Sequence, residues 1–152
     1  MHRCASLLLP ALLAAAPLAG QSTVTGIRDL AFGVVIRGVQ TTVAPTDPVK
    51  SGRFYVRHVL NRQVRIQFNL PTRLTRVGGG GNLPINFPNN GAIAQGTAGN
   101  SVPVTFNPHA ARTFNLVTSA DFFVNLGGRV SPAANQATGD YRGTVTLTVT
   151  FF

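Results

Sequence analysis

The run Gly139-Asp-Tyr-Arg-Gly-Thr-Val-Thr-Leu-Thr-Val-Thr-Phe-Phe152 admits one kind of backbone. From Tyr141 onward, Tyr141, Gly143, Val145, Leu147, Val149 and Phe151 share one parity, and Arg142, Thr144, Thr146, Thr148 and Thr150 take the other. Successive side chains of a strand point to opposite faces, so this is a β-strand with an apolar face inward and a threonine face outward. Valine and threonine are β-branched and stiff at χ1, which favours the pleated backbone over a helix. A chain closing on such a strand is expected either to place it in its own sheet or to offer it to a partner.

The opposite end reads differently. Met1-His-Arg-Cys is followed by the apolar run Leu7 to Ala16 and by the small residues of Pro17-Leu-Ala-Gly20. This order of basic, apolar and small-residue regions predicts a secretory signal peptide over residues 1–20, too short to span a membrane. Leu18-Ala-Gly also resembles a lipobox, but Gln21 stands where a lipidated cysteine would be required. Export to the periplasm, the cell surface or the medium is therefore expected, with one domain over residues 21–152. No second apolar run of membrane length follows. The single cysteine, Cys4, lies in the signal peptide, so the mature chain must hold itself together by core burial without disulfides.

Removing Arg3 leaves twelve basic residues against Asp29, Asp47, Asp121 and Asp140, a net charge of +8, with no glutamate. That balance favours anionic partners such as acidic surface glycans or lipid headgroups. Export argues against nucleic acid. The charge also has a plainer reading, which is the solubility of a Thr- and Asn-rich β-protein.

No segment of the mature chain has helical periodicity. Asp29 to Gly38 reads as a first strand kinked at Gly33, and Val39 to Ala44 as a second, closed by a turn at Pro45-Thr-Asp-Pro48. Phe54, Val56, His58 and Leu60 alternate with Arg53, Tyr55, Arg57 and Val59. Val64, Ile66, Phe68 and Leu70 alternate with Arg65, Gln67 and Asn69. A hairpin with a three-residue loop keeps both apolar sets on one face. It predicts an outer patch of Arg53, Tyr55, Arg57, Arg65 and Gln67. The Gly- and Asn-rich stretch 78–100 reads as a loop between sheets, interrupted by a short edge strand over Leu83 to Phe87. Its four glycines precede no Gly-Lys-Ser/Thr and no helix, so they do not make a phosphate-binding loop. Strands are expected over Val102 to Phe106, Arg112 to Val117 and Phe122 to Val130, with a bulge at Gly127-Gly128. About eight strands with regular turn signals indicate an all-β antiparallel sandwich.

The residues compose no catalytic or cofactor constellation. His58 and His109 are far apart in sequence without cysteine or glutamate nearby, which is no metal set. The four aspartates are isolated, and no Gly-x-Ser-x-Gly elbow is present. The expectation is a non-enzyme without cofactor or metal.

Leu30-x-Phe-Gly33 with Gly38, and Ala134 through Phe151, resemble an uncharacterised family of bacterial secreted proteins. That family is similar at its ends to spore coat protein U and, more distantly, to chaperone–usher pilins. Pilins carry a penultimate aromatic residue and a glycine fourteenth from the C-terminus, positions held here by Phe151 and Gly139. The resemblance implies an immunoglobulin-like, pilin-like sandwich. Its last strand, with Gly139, Tyr141, Gly143, Val145, Leu147, Val149 and Phe151, would border a groove filled by a periplasmic chaperone or a like subunit through β-augmentation. The chain departs from pilins in lacking a disulfide and in having only Gln21 to Arg28 as an N-terminal extension. The expected function is a structural or adhesive subunit. The alternative is a self-contained module binding an anionic glycan or lipid on its basic strand face.

Overall fold

The computed structural model describes residues 23–57, 62–97, 102–116 and 121–152. The predicted signal peptide and His58 lie outside them. The described strands are β1 (Thr23–Arg28), β2 (Thr41–Val43), β3 (Gly52–Arg57), β4 (Arg62–Asn69), β5 (Arg73–Arg76), β6 (Asn82–Asn86) and β7 (Ala92–Gly96). They continue with β8 (Val104–Phe106), β9 (Arg112–Leu116), β10 (Asp121–Leu126), β11 (Gly128–Val130), β12 (Tyr141–Arg142) and β13 (Thr146–Phe151). All pairings are antiparallel and form three sheets, ordered β1-β3-β10-β7-β8, β12-β5-β6-β11-β2 and β13-β4-β9. The molecule is an all-β sandwich.

Two of these sheets are halves of one kinked layer. Segment 141–151 runs antiparallel to segment 62–76 throughout, pairing Thr146 with Asn69 on one side of the kink and Arg142 with Thr75 on the other. Pro71, which has no N–H to give a ladder, interrupts 62–76 opposite Gly143 to Val145. The expected single last strand is thus β12 plus β13. Its alternation survives the break, because Tyr141, Val145, Leu147, Val149 and Phe151 all pack against the core.

The layers are joined where the chain changes sheets. β10 belongs to the first sheet and β11 to the second, and Gly127 between them passes against the β2 edge. A Cβ on Gly127 would lie 2.4 Å from the Val43 carbonyl oxygen and 2.6 Å from the Pro45 nitrogen. Across the core, Phe54, Phe68, Phe106, Phe114 and Phe122 form a chain of ring contacts with centroids 5.6 to 6.4 Å apart. They come from β3, β4, β8, β9 and β10, so the rings tie the first sheet to the third. Val56, Val64, Ile66 and Val124 are fully buried around them.

Several expectations are corrected. β3 and β4 do not form a hairpin: β3 pairs with β1 and β10, while β4 pairs with β13 and β9. β3 and β4 belong to different sheets, which satisfies the same inward alternation. The first strand is Thr23–Arg28, and residues 29–40 carry no strand. Gly33 and Gly38 there take φ of 69° and 71°, left-handed values that end an extended run. The four-glycine stretch is the turn of the β5–β6 hairpin within one sheet, with Gly78, Gly79 and Gly80 all at positive φ. β6 is an interior strand, not an edge, and β5 and β7 were hidden in polar or glycine-rich sequence.

Candidate functional site

Two edge strands and one unpaired segment leave a gap on one side of the sandwich. β1 is the edge of the first sheet and β12 that of the second. Between them the chain crosses from β1 along residues 29–37, anchored by the Ala31 amide donating to the Lys50 carbonyl at 2.9 Å. The result is a groove of about 1120 Å³, walled by 26–37 on one side and by 71–74 and 137–145 on the other. Leu30, Phe32 and Val35 from the first wall and Leu74, Tyr141 and Val145 from the second are half-buried against the core. Arg28, Arg37 and Arg142, with Asp29 and Asp140, surround its polar parts. Here is an apolar floor beside two sheet edges, the combination of features that accepts an extended peptide.

Both walls are held in place. Arg28, at the end of β1, donates from Nε to the Ser51 carbonyl at 2.7 Å and from Nη2 to Ser51 Oγ at 2.8 Å, and it also reaches the Pro48 carbonyl. Buried Ser51 donates in turn to the Asp47 carbonyl at 2.6 Å. Asp47 Oδ1 accepts the amides of Val49 and Lys50 at 2.9 and 2.8 Å. Those two bonds hold its carboxyl below the ordinary range, since they favour the charged form. On the other wall, the Tyr141 hydroxyl donates to the Ala137 carbonyl at 2.7 Å and accepts from Gln136 Nε2 at 2.7 Å. Arg76 Nε donates to the Thr138 carbonyl at 2.7 Å, and the Val77 amide to the Asp140 carbonyl at 2.8 Å. Gly139, between those anchors, has φ of 139° and would place a Cβ 2.7 Å from Arg76 Nε.

The residues singled out in the last strand therefore fall into two groups. Gly139, Tyr141, Gly143 and Val145 line the groove. Leu147, Val149 and Phe151 extend the same half-buried face along β13, beyond it. The opposite wall was missed, because Asp29 to Gly38 reads as a paired strand. Its glycines at two left-handed positions were the available signal.

The basic patch does not hold together. Arg53, Tyr55 and Arg57 lie on the outer face of β3, opposite Asn125, Phe123 and Asp121 of β10. Arg65 and Gln67 lie on the outer face of β4, in another sheet. Val56 of β3 and Val64 and Ile66 of β4 share one core, so the two outer faces point away from each other. On the first face the Arg53 guanidinium sits 3.8 Å over the Phe123 ring, and Tyr55 and Phe123 lie 5.4 Å apart. The Tyr55 hydroxyl donates to Asp121 Oδ2 at 2.8 Å, which with burial raises its pKa by favouring the protonated phenol.

Among the described residues, no group of three or more His, Cys, Asp or Glu could hold a metal, and no helix is long and apolar enough to cross a membrane. His109 is joined by its Nε2 to the Phe87 carbonyl at 2.7 Å. No protein-family model, curated protein or solved structure matches the chain.

Proposed function

We propose that this protein is an exported, non-enzymatic structural or adhesive subunit that receives an extended strand from a neighbouring chain. The observation carrying this reading is the groove between residues 26–37 and 137–145, with its apolar floor and the sheet-edge strands β1 and β12 along its rims. A strand entering there would hydrogen-bond to main chain on either side and place alternate side chains over Leu30, Phe32, Leu74 and Val145. In β-augmentation, main-chain bonds supply affinity and the pockets for alternate side chains supply specificity. Gly139 and Phe151 at the positions shared with pilin subunits support the same reading, as does the Tyr141 corner. A tyrosine bonded to a carbonyl a few residues upstream recurs in immunoglobulin-like sandwiches. β1 is already seated against β3, so the incoming strand would belong to another molecule, either a like subunit or a periplasmic chaperone.

The test is thermal melting and size-exclusion chromatography of the purified protein with a peptide matching residues 21–30. A proline-substituted version of that peptide serves as control. The expected result is a melting temperature that rises with concentration for the first peptide alone, as binding to the folded state requires. No shift at millimolar peptide, or equal shifts with both, would remove the support for strand capture.

A further inference from the structure

The outer face of β13, β4 and β9 carries a second feature that strand capture does not use. Thr146, Thr148 and Thr150 stand exposed on β13, opposite Asn69, Gln67 and Arg65 of β4. Arg65 is opposite exposed Thr113 of β9 on its other side, so one guanidinium sits between two threonines. Same-face side chains along a strand are about 7 Å apart and neighbouring strands about 4.8 Å apart, which makes a regular grid of hydroxyl, amide and guanidinium groups. None of the four aspartates lies on these strands. The charge of Arg65 is thus uncompensated on its own face, whereas across the sandwich Arg57 lies opposite Asp121 and Arg53 is stacked on Phe123.

We propose that this face binds an acidic polysaccharide, with a uronate carboxylate on Arg65 and sugar hydroxyls on the threonines and Gln67. A planar guanidinium presents a fork that matches a carboxylate, and hydroxyl and amide groups both donate to and accept from sugar hydroxyls. Sparse charge in a hydroxyl-rich grid suits a polymer that is itself hydroxyl-rich and carries its charges at intervals. Single-stranded nucleic acid is recognised by stacking successive bases on several aromatic side chains in a basic groove, and this face offers one exposed ring, Phe152 at the end of β13, on a flat sheet. Anionic membranes are recognised by clusters of four or more basic residues, and one arginine is not such a cluster. The proposal is independent of the groove, which lies between other walls.

The test is affinity electrophoresis of the purified protein through gels holding polygalacturonate, neutral dextran or polyphosphate. Retardation by polygalacturonate is expected to exceed that by polyphosphate at equal anion concentration, and neutral dextran should give none. Arg65→Gln should weaken it on the order of tenfold, the loss of one charge-assisted contact. Thr148→Val with Thr150→Val should weaken it as well, and Arg53→Gln with Arg57→Gln should leave it unchanged. Circular dichroism melts confirm that each variant is folded, which the exposure of all five positions except half-buried Arg53 favours. Retardation by polyphosphate equal to that by polygalacturonate would show a plain polycation and overturn the proposal. So would an effect of the Arg53/Arg57 pair equal to that of Arg65, or no retardation at all.

Discussion

Asp47 shows how one carboxylate fixes a turn on which a strand end depends. Its Oδ1 accepts two amides, and the same turn presents its own carbonyl to Ser51 and the Pro48 carbonyl to Arg28. Because its pKa is lowered from 3.8 in the folded protein, the folded state favours the ionised form. That contribution is present above the unfolded pKa and is lost as pH falls through the folded one. Urea melts should therefore show wild type more stable than Asp47→Asn by a constant amount above about pH 5, narrowing below about pH 4. A pH-independent difference would mean that the charge is irrelevant to the turn. Tyr141→Phe removes the hydroxyl that joins Gln136 to Ala137. Ala137 is exposed, so water can take over its carbonyl, and the expected loss is about 1 kcal/mol by urea denaturation. At this scale the sequence was a good guide to burial: Val56, Val64, Ile66, Phe68, Phe122, Val124 and Val130 are all buried as their alternation requires. The specific bonds were not legible, since nothing in Arg28 marks it as the partner of a serine 23 residues away.

At the scale of elements, alternation specifies which face of a strand is buried but not which sheet the strand joins. β3 and β4 illustrate this: their described inward residues are as expected, yet the two strands join different sheets. A sheet change needs close passage of backbone, and Gly127 provides it between β10 and β11. The expected bulge at Gly127-Gly128 is in fact this crossing. Gly127→Ala must push Val43 to Pro45 aside and is expected to cost about 1–3 kcal/mol, as overpacking does. Gly78→Ala meets no atom within 4 Å, and its strain is confined to its positive φ. Denaturation of the two variants side by side separates the effects, and equal losses would refute the role given to Gly127. β7 escaped notice because Ala92 and Ala94, which are small and poor strand formers, supply its buried side.

For the whole molecule, the ring chain from Phe54 to Phe122 holds two layers together while one side stays incompletely closed. Phe122→Ala should cost about 3–5 kcal/mol, since Phe122 is 2 % exposed and packs against Phe114 between layers. A loss below about 1 kcal/mol in urea denaturation would show that the layers do not depend on the rings. The sandwich class could be read from turn spacing and alternation. The groove could not, because it arises where a segment with strand-like residues, 29–37, finds no strand to pair with. Whether those walls take up a strand is measured most directly by amide hydrogen exchange with and without the 21–30 peptide. Phe32, Val34 and Val35, together with Gly143 to Val145, should exchange quickly in the free protein and become protected when peptide is bound, while β4 is unchanged. Protection of these amides already equal to that of β4 in the free protein, or no change at saturating peptide, would contradict an open, strand-accepting groove.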